Sequence, residues 1–256
     1  MMDTLKGKVA IVTGSATGVG AATALLLAEK GCRVVINYSK SEKEAKESAT
    51  ACEAKGAEVL LCQADVSKNE DCQRMVSETV SKWNRIDALV NNAGTTKFCN
   101  HHNLDGLSSE DFTRIYGVNV IGPYQMTRAA APHMKKTGNA AIVNVASTAA
   151  LTGIGSSIAY AASKGALVTM TLSLARVLGP EIRVNAVCPG FIQSRWLLEG
   201  HGKENYEKIK KYSEDNSPLG VTATPEIVAE EILYFISGAR IVTGETLVID
   251  GGFHLR

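Results

Sequence analysis

Short, almost wholly apolar runs alternate along this chain with longer stretches in which apolar residues recur every three or four positions. Runs of four to six apolar residues bounded by glycine or polar turns fit strands buried on both faces, and the stretches between them fit amphipathic helices. The pattern predicts strands at residues 9–12, 33–37, 59–62 and 86–90, with helices near 19–30, 41–55 and 69–82 between them. Gly31 and Gly56 stand where the first two helices should stop, because glycine takes the left-handed conformation that closes a helix. Further on, the pattern predicts one long helix at about 111–136, a strand at 141–145, a helix at about 159–178 and a strand at 182–187. A short helix near 225–236 and a last strand at 246–249 complete the chain. Such alternation predicts an α/β fold, a doubly wound parallel sheet of about seven strands with helices on both faces. Between residues 189 and 224 the periodicity weakens, and 193–221 is expected to be an irregular substrate loop or lid, its lysines from Lys203 to Lys211 forming a solvated helix face. No linker, repeat or low-complexity tract breaks the chain, so 1–256 is read as one domain.

Composition narrows the function classes. Lys+Arg 27 against Asp+Glu 26 leaves a formal net charge of +1, which offers no electrostatic reason to expect nucleic acid or a membrane surface as partner. The six cysteines are scattered without a C-x-x-C pair and read as reduced thiols. No signal-peptide pattern precedes the first strand. No wholly apolar run reaches the roughly 18 to 20 residues that span a bilayer. A cytoplasmic location is expected. His101 and His102 are adjacent and so poorly placed to share an ion; no metal is expected.

The chemistry lies where predicted strands end. After the first strand comes Thr13-Gly14-Ser15-Ala16-Thr17-Gly18-Val19-Gly20, opening into a helix. Glycines there permit positive φ and close backbone approach, and the helix N-terminus favours a pyrophosphate. The second strand ends in Asn37-Tyr38-Ser39-Lys40 with no acid before Glu42. An acid there would bind the 2′-hydroxyl of NAD, and a base accommodates the 2′-phosphate of NADP. NADP(H) is therefore expected over NAD(H), with Lys40 supplying the charge. Asp65-Val66, after the third strand, suits either an adenine amino group or an N-cap-like turn. Asn91-Asn92-Ala93-Gly94, after the fourth, suits either a ligand or turn chemistry.

Tyr160 and Lys164 are spaced i, i+4 and share a helix face. A nearby ammonium stabilises a phenolate and lowers a tyrosine pKa toward neutrality. Ser147 ends a predicted strand thirteen positions earlier, so the three can converge at the sheet's carboxyl edge.

Over essentially its full length the chain resembles short-chain dehydrogenase/reductases of the classical type. The family's Thr-Gly-x3-Gly-x-Gly matches Thr13 to Gly20, its Asn-Asn-Ala-Gly matches Asn91 to Gly94, and its Tyr-x3-Lys matches Tyr160 and Lys164. Its serine matches Ser147, its helix asparagine Asn119, its Pro-Gly Pro189-Gly190, and Asp250-Gly251-Gly252 fits its last strand end. The resemblance implies a Rossmann-type fold and hydride exchange between a nicotinamide and a small carbonyl or alcohol substrate. Tyr160 would be the acid/base and Ser147 would orient the oxygen. Lys164 would lower the Tyr160 pKa and hold the ribose, and Asn119 would seat a water linking Lys164 to solvent. In Pro189-Gly190-Phe191-Ile192-Gln193-Ser194 the family's threonine is replaced by Ser194, which keeps the hydroxyl for the carboxamide.

Within the family the chain looks nearest to 3-oxoacyl-[acyl-carrier-protein] reductases, through residues 35–38 and 242–247. Yet Lys135-Lys136 and the stretch at 177–181 lack part of the arginine surface that docks a carrier protein there. A carbonyl reductase acting on small molecules is expected first, an acyl-carrier reductase second, and a catalytically silent dinucleotide sensor or scaffold as the alternative of another class. Trp196 in the lid is a candidate substrate contact. The two long helices imply a homotetramer or homodimer.

Overall fold

The computed structural model describes residues 5–255. Seven strands, β1 (Val9–Val12), β2 (Arg33–Tyr38), β3 (Val59–Gln63), β4 (Ala88–Asn91), β5 (Ala140–Val145), β6 (Ile182–Pro189) and β7 (Thr246–Ile249), form one sheet in the order β3-β2-β1-β4-β5-β6-β7. Every neighbouring pair is parallel. Winding reverses direction between β1 and β4, and Val12 is in register with both Ile36 and Val90. The loops leaving β1, β2 and β4 therefore start at one level and frame the crevice in which open α/β sheets bind ligands.

The strands are apolar throughout because alternate residues feed two separate cores. Ala10, Val12, Val34 and Ile36 pack under α1 (Gly18–Glu29), α2 (Glu42–Glu53) and α10 (Pro225–Leu233), whereas Val9, Ile11, Val35 and Leu89 pack under α3 (Asn69–Trp83), α5 (Gly122–Lys135) and the end of α7 (Ile158–Leu178). A strand covered on both faces has no polar side to expose. α7 is long and apolar enough, by length and composition alone, to cross a bilayer, which the reading of apolar runs missed. Here it lies against β6 and buries Ala159, Ser163, Lys164, Leu167 and Thr171.

Two expectations need correction. The predicted helix at 111–136 is α4 (Ser109–Tyr116), a π-helical turn at Gly117–Ile121, and α5. The segment expected to be irregular is mostly helical, with α8 (Arg195–His201) and α9 (Lys203–Asn216). α9 buries only Tyr206 and Ser213 and covers itself with the i, i+4 pairs Glu204–Lys208, Lys210–Glu214 and Lys211–Asp215. It has no apolar stripe for a periodicity argument to detect. A one-turn helix, α6 (Ala149–Thr152), follows β5.

Candidate active site

The loop after β1 is held by its own polar side chains. Gly14 and Gly18 take φ of +62° and +58°. The Gly14 N–H donates to Asn37 Oδ1 at 2.9 Å, and Asn37 Nδ2 donates on to the Ala64 carbonyl at 3.1 Å. Ser15 Oγ donates to the Val12 carbonyl at 2.7 Å and accepts from the Asn37 N–H at 2.9 Å. From the other side, Thr13 Oγ1 accepts the N–H groups of Asn92 and Ala93, both at 3.0 Å. Asn92 Nδ2 donates to the Thr13 and Gly14 carbonyls, both at 2.9 Å.

The resulting cradle fits a dinucleotide. A Cβ at Gly14 would stand 2.9 Å from Ala93 Cα, and one at Gly20 would strike the Gly14 carbonyl and the Asn92 amide, whereas one at Gly18 would meet open space. The N-terminus of α1 faces that space with no acidic residue in its first turn and no capping bond from Thr17. Its free N–H groups and dipole suit an anion such as a pyrophosphate.

One cleft of about 1240 Å³ runs along the carboxyl edge of the sheet. Gly14, Thr17, Gly18 and Val19 line it under β1; Asn37, Ser39 and Lys40 under β2; Asp65 and Val66 under β3; Asn92, Ala93 and Gly94 under β4. Ser15, Tyr38 and Gly20, expected at the cofactor, are absent from this lining. Ser15 and Gly20 shape the loop from behind, and Tyr38 is buried in the core. The Asn37 side chain is committed to Gly14 and to the Cys62 and Ala64 carbonyls at the end of β3. Asp65 accepts from the Ser67 N–H at 3.0 Å and the Ser67 hydroxyl at 2.7 Å. It is a turn residue and a cleft residue together.

Farther along, Ser147, Tyr160 and Lys164 line the same cleft, joined by Pro189, Gly190, Ile192, Ser194 and Trp196. Ser157 caps α7 by accepting the Tyr160 N–H at 3.2 Å, which fixes where the phenol leaves the helix. Ser147 Oγ accepts the Ala149 N–H at 3.2 Å, and its side chain also acts on the Tyr160 phenol, favouring the phenolate. Lys164 Nζ lies 5.6 Å from the Tyr160 ring centroid and donates to the Val145 carbonyl at 2.7 Å. Burial pushes the phenol up to about 12, against the opposing effect of the Ser147 side chain. Burial pushes Lys164 down to about 8. Desolvation is the largest influence on the buried phenol, and the Lys164 ammonium is turned toward a backbone carbonyl.

Asn119 lies behind the cleft, fully buried in the π-helical turn. Its Oδ1 accepts the Thr95 N–H at 2.8 Å, and its Nδ2 donates to the Thr95 carbonyl and to Ser163 Oγ, both at 3.0 Å. It ties the segment after β4 to α7. π-Turns of this kind concentrate at functional sites, yet they leave no periodic trace in a sequence. The tying roles of Thr13, Thr95 and Ser163 likewise could not be read, since a lone hydroxyl announces nothing until its partners are in place. Ser194 caps α8, accepting the Leu197 N–H at 3.4 Å. Among the described residues no cluster of His, Cys, Asp or Glu could hold a metal ion.

Comparison with known proteins decides the family. Residues 14–254 match a family model described as Enoyl-(Acyl carrier protein) reductase. The chain belongs to the short-chain dehydrogenase/reductase family. It is 40% identical over 99% of its length to a protein of Streptomyces violaceoruber named as ketoacyl reductase 2 of the granaticin polyketide synthase, covering 98% of that protein. It is 37% identical to a 3-oxoacyl-[acyl-carrier-protein] reductase of Thermotoga maritima, covering 97% of this chain and 98% of that one. A crystal structure of a short-chain dehydrogenase/reductase from Burkholderia xenovorans superposes with a TM-score of 0.90 at 40% identity, covering 97% and 98% of the two chains. Membership makes this short-chain dehydrogenase/reductase an oxidoreductase of carbonyl or alcohol groups that uses NAD or NADP.

Proposed function

We propose that the protein is an NADP(H)-dependent reductase of small carbonyl compounds, reversible as a secondary-alcohol dehydrogenase, with Tyr160 as the proton-transfer group. The observation that carries this reading is the convergence of Ser147, Tyr160 and Lys164 on one cleft beside a glycine cradle shaped for a pyrophosphate. A bound nicotinamide dinucleotide supplies the hydride. The α1 N-terminus with Gly14 and Gly18 would hold its pyrophosphate, Ser39 and Lys40 the 2′-phosphate, and Asp65 and Val66 the adenine. Asn92 to Gly94, Pro189, Gly190, Ile192 and Ser194 would enclose the nicotinamide half. A phenol at about 12 is protonated at neutral pH, so Tyr160 gives its proton to the oxygen of a carbonyl being reduced. Ser147 orients and polarises that oxygen. Lys164, cationic below about pH 8, favours the phenolate left behind. Asn119 is a positioning residue that keeps α7 and the Thr95 segment together.

Turnover of a ketone panel with NADPH and NADH tests the reading. Lys40→Ala should raise the KM for NADPH by about tenfold, the value of one charge-assisted hydrogen bond, and change NADH little. Equal losses would count against Lys40. A second reading, 3-oxoacyl thioester reduction, is favoured by the names of two relatives. Acetoacetyl thioesters outperforming small ketones would establish it. Tight NADPH binding with no turnover of any carbonyl or alcohol would instead mark a silent sensor. Leu172 and Val177 on α7 and Phe112 and Tyr124 on α4 and α5 are exposed apolar residues, which suit association into a homotetramer or homodimer.

A further inference from the structure

Beside Tyr160 the cleft is lined by Trp196 and His201, backed by the Phe98 ring, in a chain where aromatic residues make up only 5%. The Trp196 indole on α8 lies 6.0 Å from the Tyr160 ring at 54° and 5.9 Å from Phe98 at 61°. Phe98 in turn lies 4.8 Å from His201 at 76°. These tilted and edge-to-face arrangements are the ones ring quadrupoles favour. Phe98 belongs to the segment after β4, so the ring cluster joins that segment to the lid. Gly200 makes the joint possible: the Phe98 ring occupies the place where a Cβ at 200 would stand.

The wall is uncharged. Burial lowers the His201 pKa, which favours the neutral ring. The charged residues lining the cleft, among those described, are Lys40, Asp65, Arg114, Lys164 and Asp250. Lys40 and Asp65 follow β2 and β3, away from Tyr160. Arg114 is held by the Thr95 hydroxyl at 3.2 Å and by Asp111 at 3.6 Å. Asp250 accepts from the Gly252 N–H at 2.9 Å and pairs with His254 at 3.0 Å. Lys164, beside the phenol, donates to the Val145 carbonyl at 2.7 Å, so each cation lining the cleft near Tyr160 already has a partner that a substrate carboxylate or phosphate would have to replace. Trp196 remains 44% exposed although it is fixed by Phe98 and Tyr160, which leaves indole surface open to the cleft at the level of the reacting oxygen.

We infer, resting on the proposed role of Tyr160, that the Trp196–His201 wall, backed by Phe98, selects a neutral, flat, ring-bearing ketone. Its ring stacks on Trp196 while its carbonyl meets Ser147 and Tyr160. Trp196 is the specificity-determining contact; Phe98 and Gly200 position it.

The test compares α-tetralone with α-decalone, which share a fused two-ring skeleton and one keto group but differ in flatness. A ring–ring contact is worth about 1 kcal/mol beyond burial, so the KM for α-tetralone should lie roughly five- to tenfold below that for α-decalone. Trp196→Ala should erase that difference, and Trp196→Phe should recover most of it. Gly200→Ala should reproduce the Trp196→Ala result without deleting a ring. Binding gives an independent readout: calorimetric titration of the full chain loaded with NADP+ should show β-naphthol binding roughly five- to tenfold more tightly than β-decalol, with the advantage gone in Trp196→Ala. Equal KM and Kd values for flat and puckered compounds, or equal losses for both in Trp196→Ala, overturn the inference and leave the oxidoreductase reading intact. Selective β-naphthol binding without turnover of any ketone upholds the wall and removes the reading of Tyr160.

Discussion

Lys164→Met should make the protein more stable and inactive. Nζ is buried beneath the cleft, its hydrogen bond goes to a neutral carbonyl, and Lys164 itself is 4% exposed. Holding a lysine of ordinary value 10.5 at about 8 corresponds to on the order of 3 kcal/mol against the charged form. Losing the bond to the Val145 carbonyl returns about 1 kcal/mol, which leaves a net gain of about 2 kcal/mol for the variant. For a chain of this size that is a rise in Tm of roughly 4 to 8 °C at pH 7. The pH dependence fixes the cause. Below about pH 8 Lys164 is charged in folded and unfolded chains alike, and the whole cost is present. From about 8 to 10.5 the folded chain releases its proton first, the unfolded chain holds more protons, and the parent gains stability as pH rises. Calorimetric melts of parent and variant at several pH values should therefore show a gap that is widest at neutral pH and narrows toward pH 10. A variant that melts at or below the parent at pH 7, or a gap that does not change with pH, would refute the assignment of a buried cation.

Gly14→Ala puts a Cβ at positive φ and 2.9 Å from Ala93 Cα. It should lower Tm and weaken NADPH binding by at least about tenfold, by titration calorimetry, since strain and overpacking each cost on the order of 1 to 3 kcal/mol. Asn37→Ala removes the acceptor of the Gly14 N–H and the two Nδ2 bonds to the Cys62 and Ala64 carbonyls. Chemical denaturation should show a loss of about 2 to 3 kcal/mol, with weaker dinucleotide binding although the side chain itself is turned into the protein. Glu44→Gln breaks the exposed pair with Arg195 and should leave Tm within about 1 °C, as surface pairs usually do. Alcohol oxidation needs the phenolate, so its rate should climb through the alkaline range toward the Tyr160 value of about 12, whereas ketone reduction should not.

The strands and the two-sided burial were legible because β1, β2, β4 and β5 have no polar face, and the glycine loop because its residues must take positive φ. Tyr160, Lys164 and Ser147 were legible because their chemistry depends on spacing and on strand ends. α9 was legible only as a solvated helix face at its lysines, and its extent was not, since it buries only Tyr206 and Ser213 and carries no apolar stripe. The break at Gly117–Ile121 was hidden because a π-turn keeps the apolar composition of the helix around it. Ring contacts such as Phe98 on Gly200 join segments about a hundred residues apart and have no local signature. For the Tyr160 pKa, spacing reports the neighbouring lysine and says nothing of the desolvation that raises the buried phenol.

The most direct measurement is single-turnover reduction of a ketone by Tyr160→Phe, followed through nicotinamide absorbance with NADPH saturating. Loss of a general acid costs on the order of 10² to 10⁴ in rate. The chemical step should fall by about that factor while the Kd for NADPH, measured separately, stays within about twofold of the parent's. Reduction at the parent rate would contradict the assignment of Tyr160 as the proton donor.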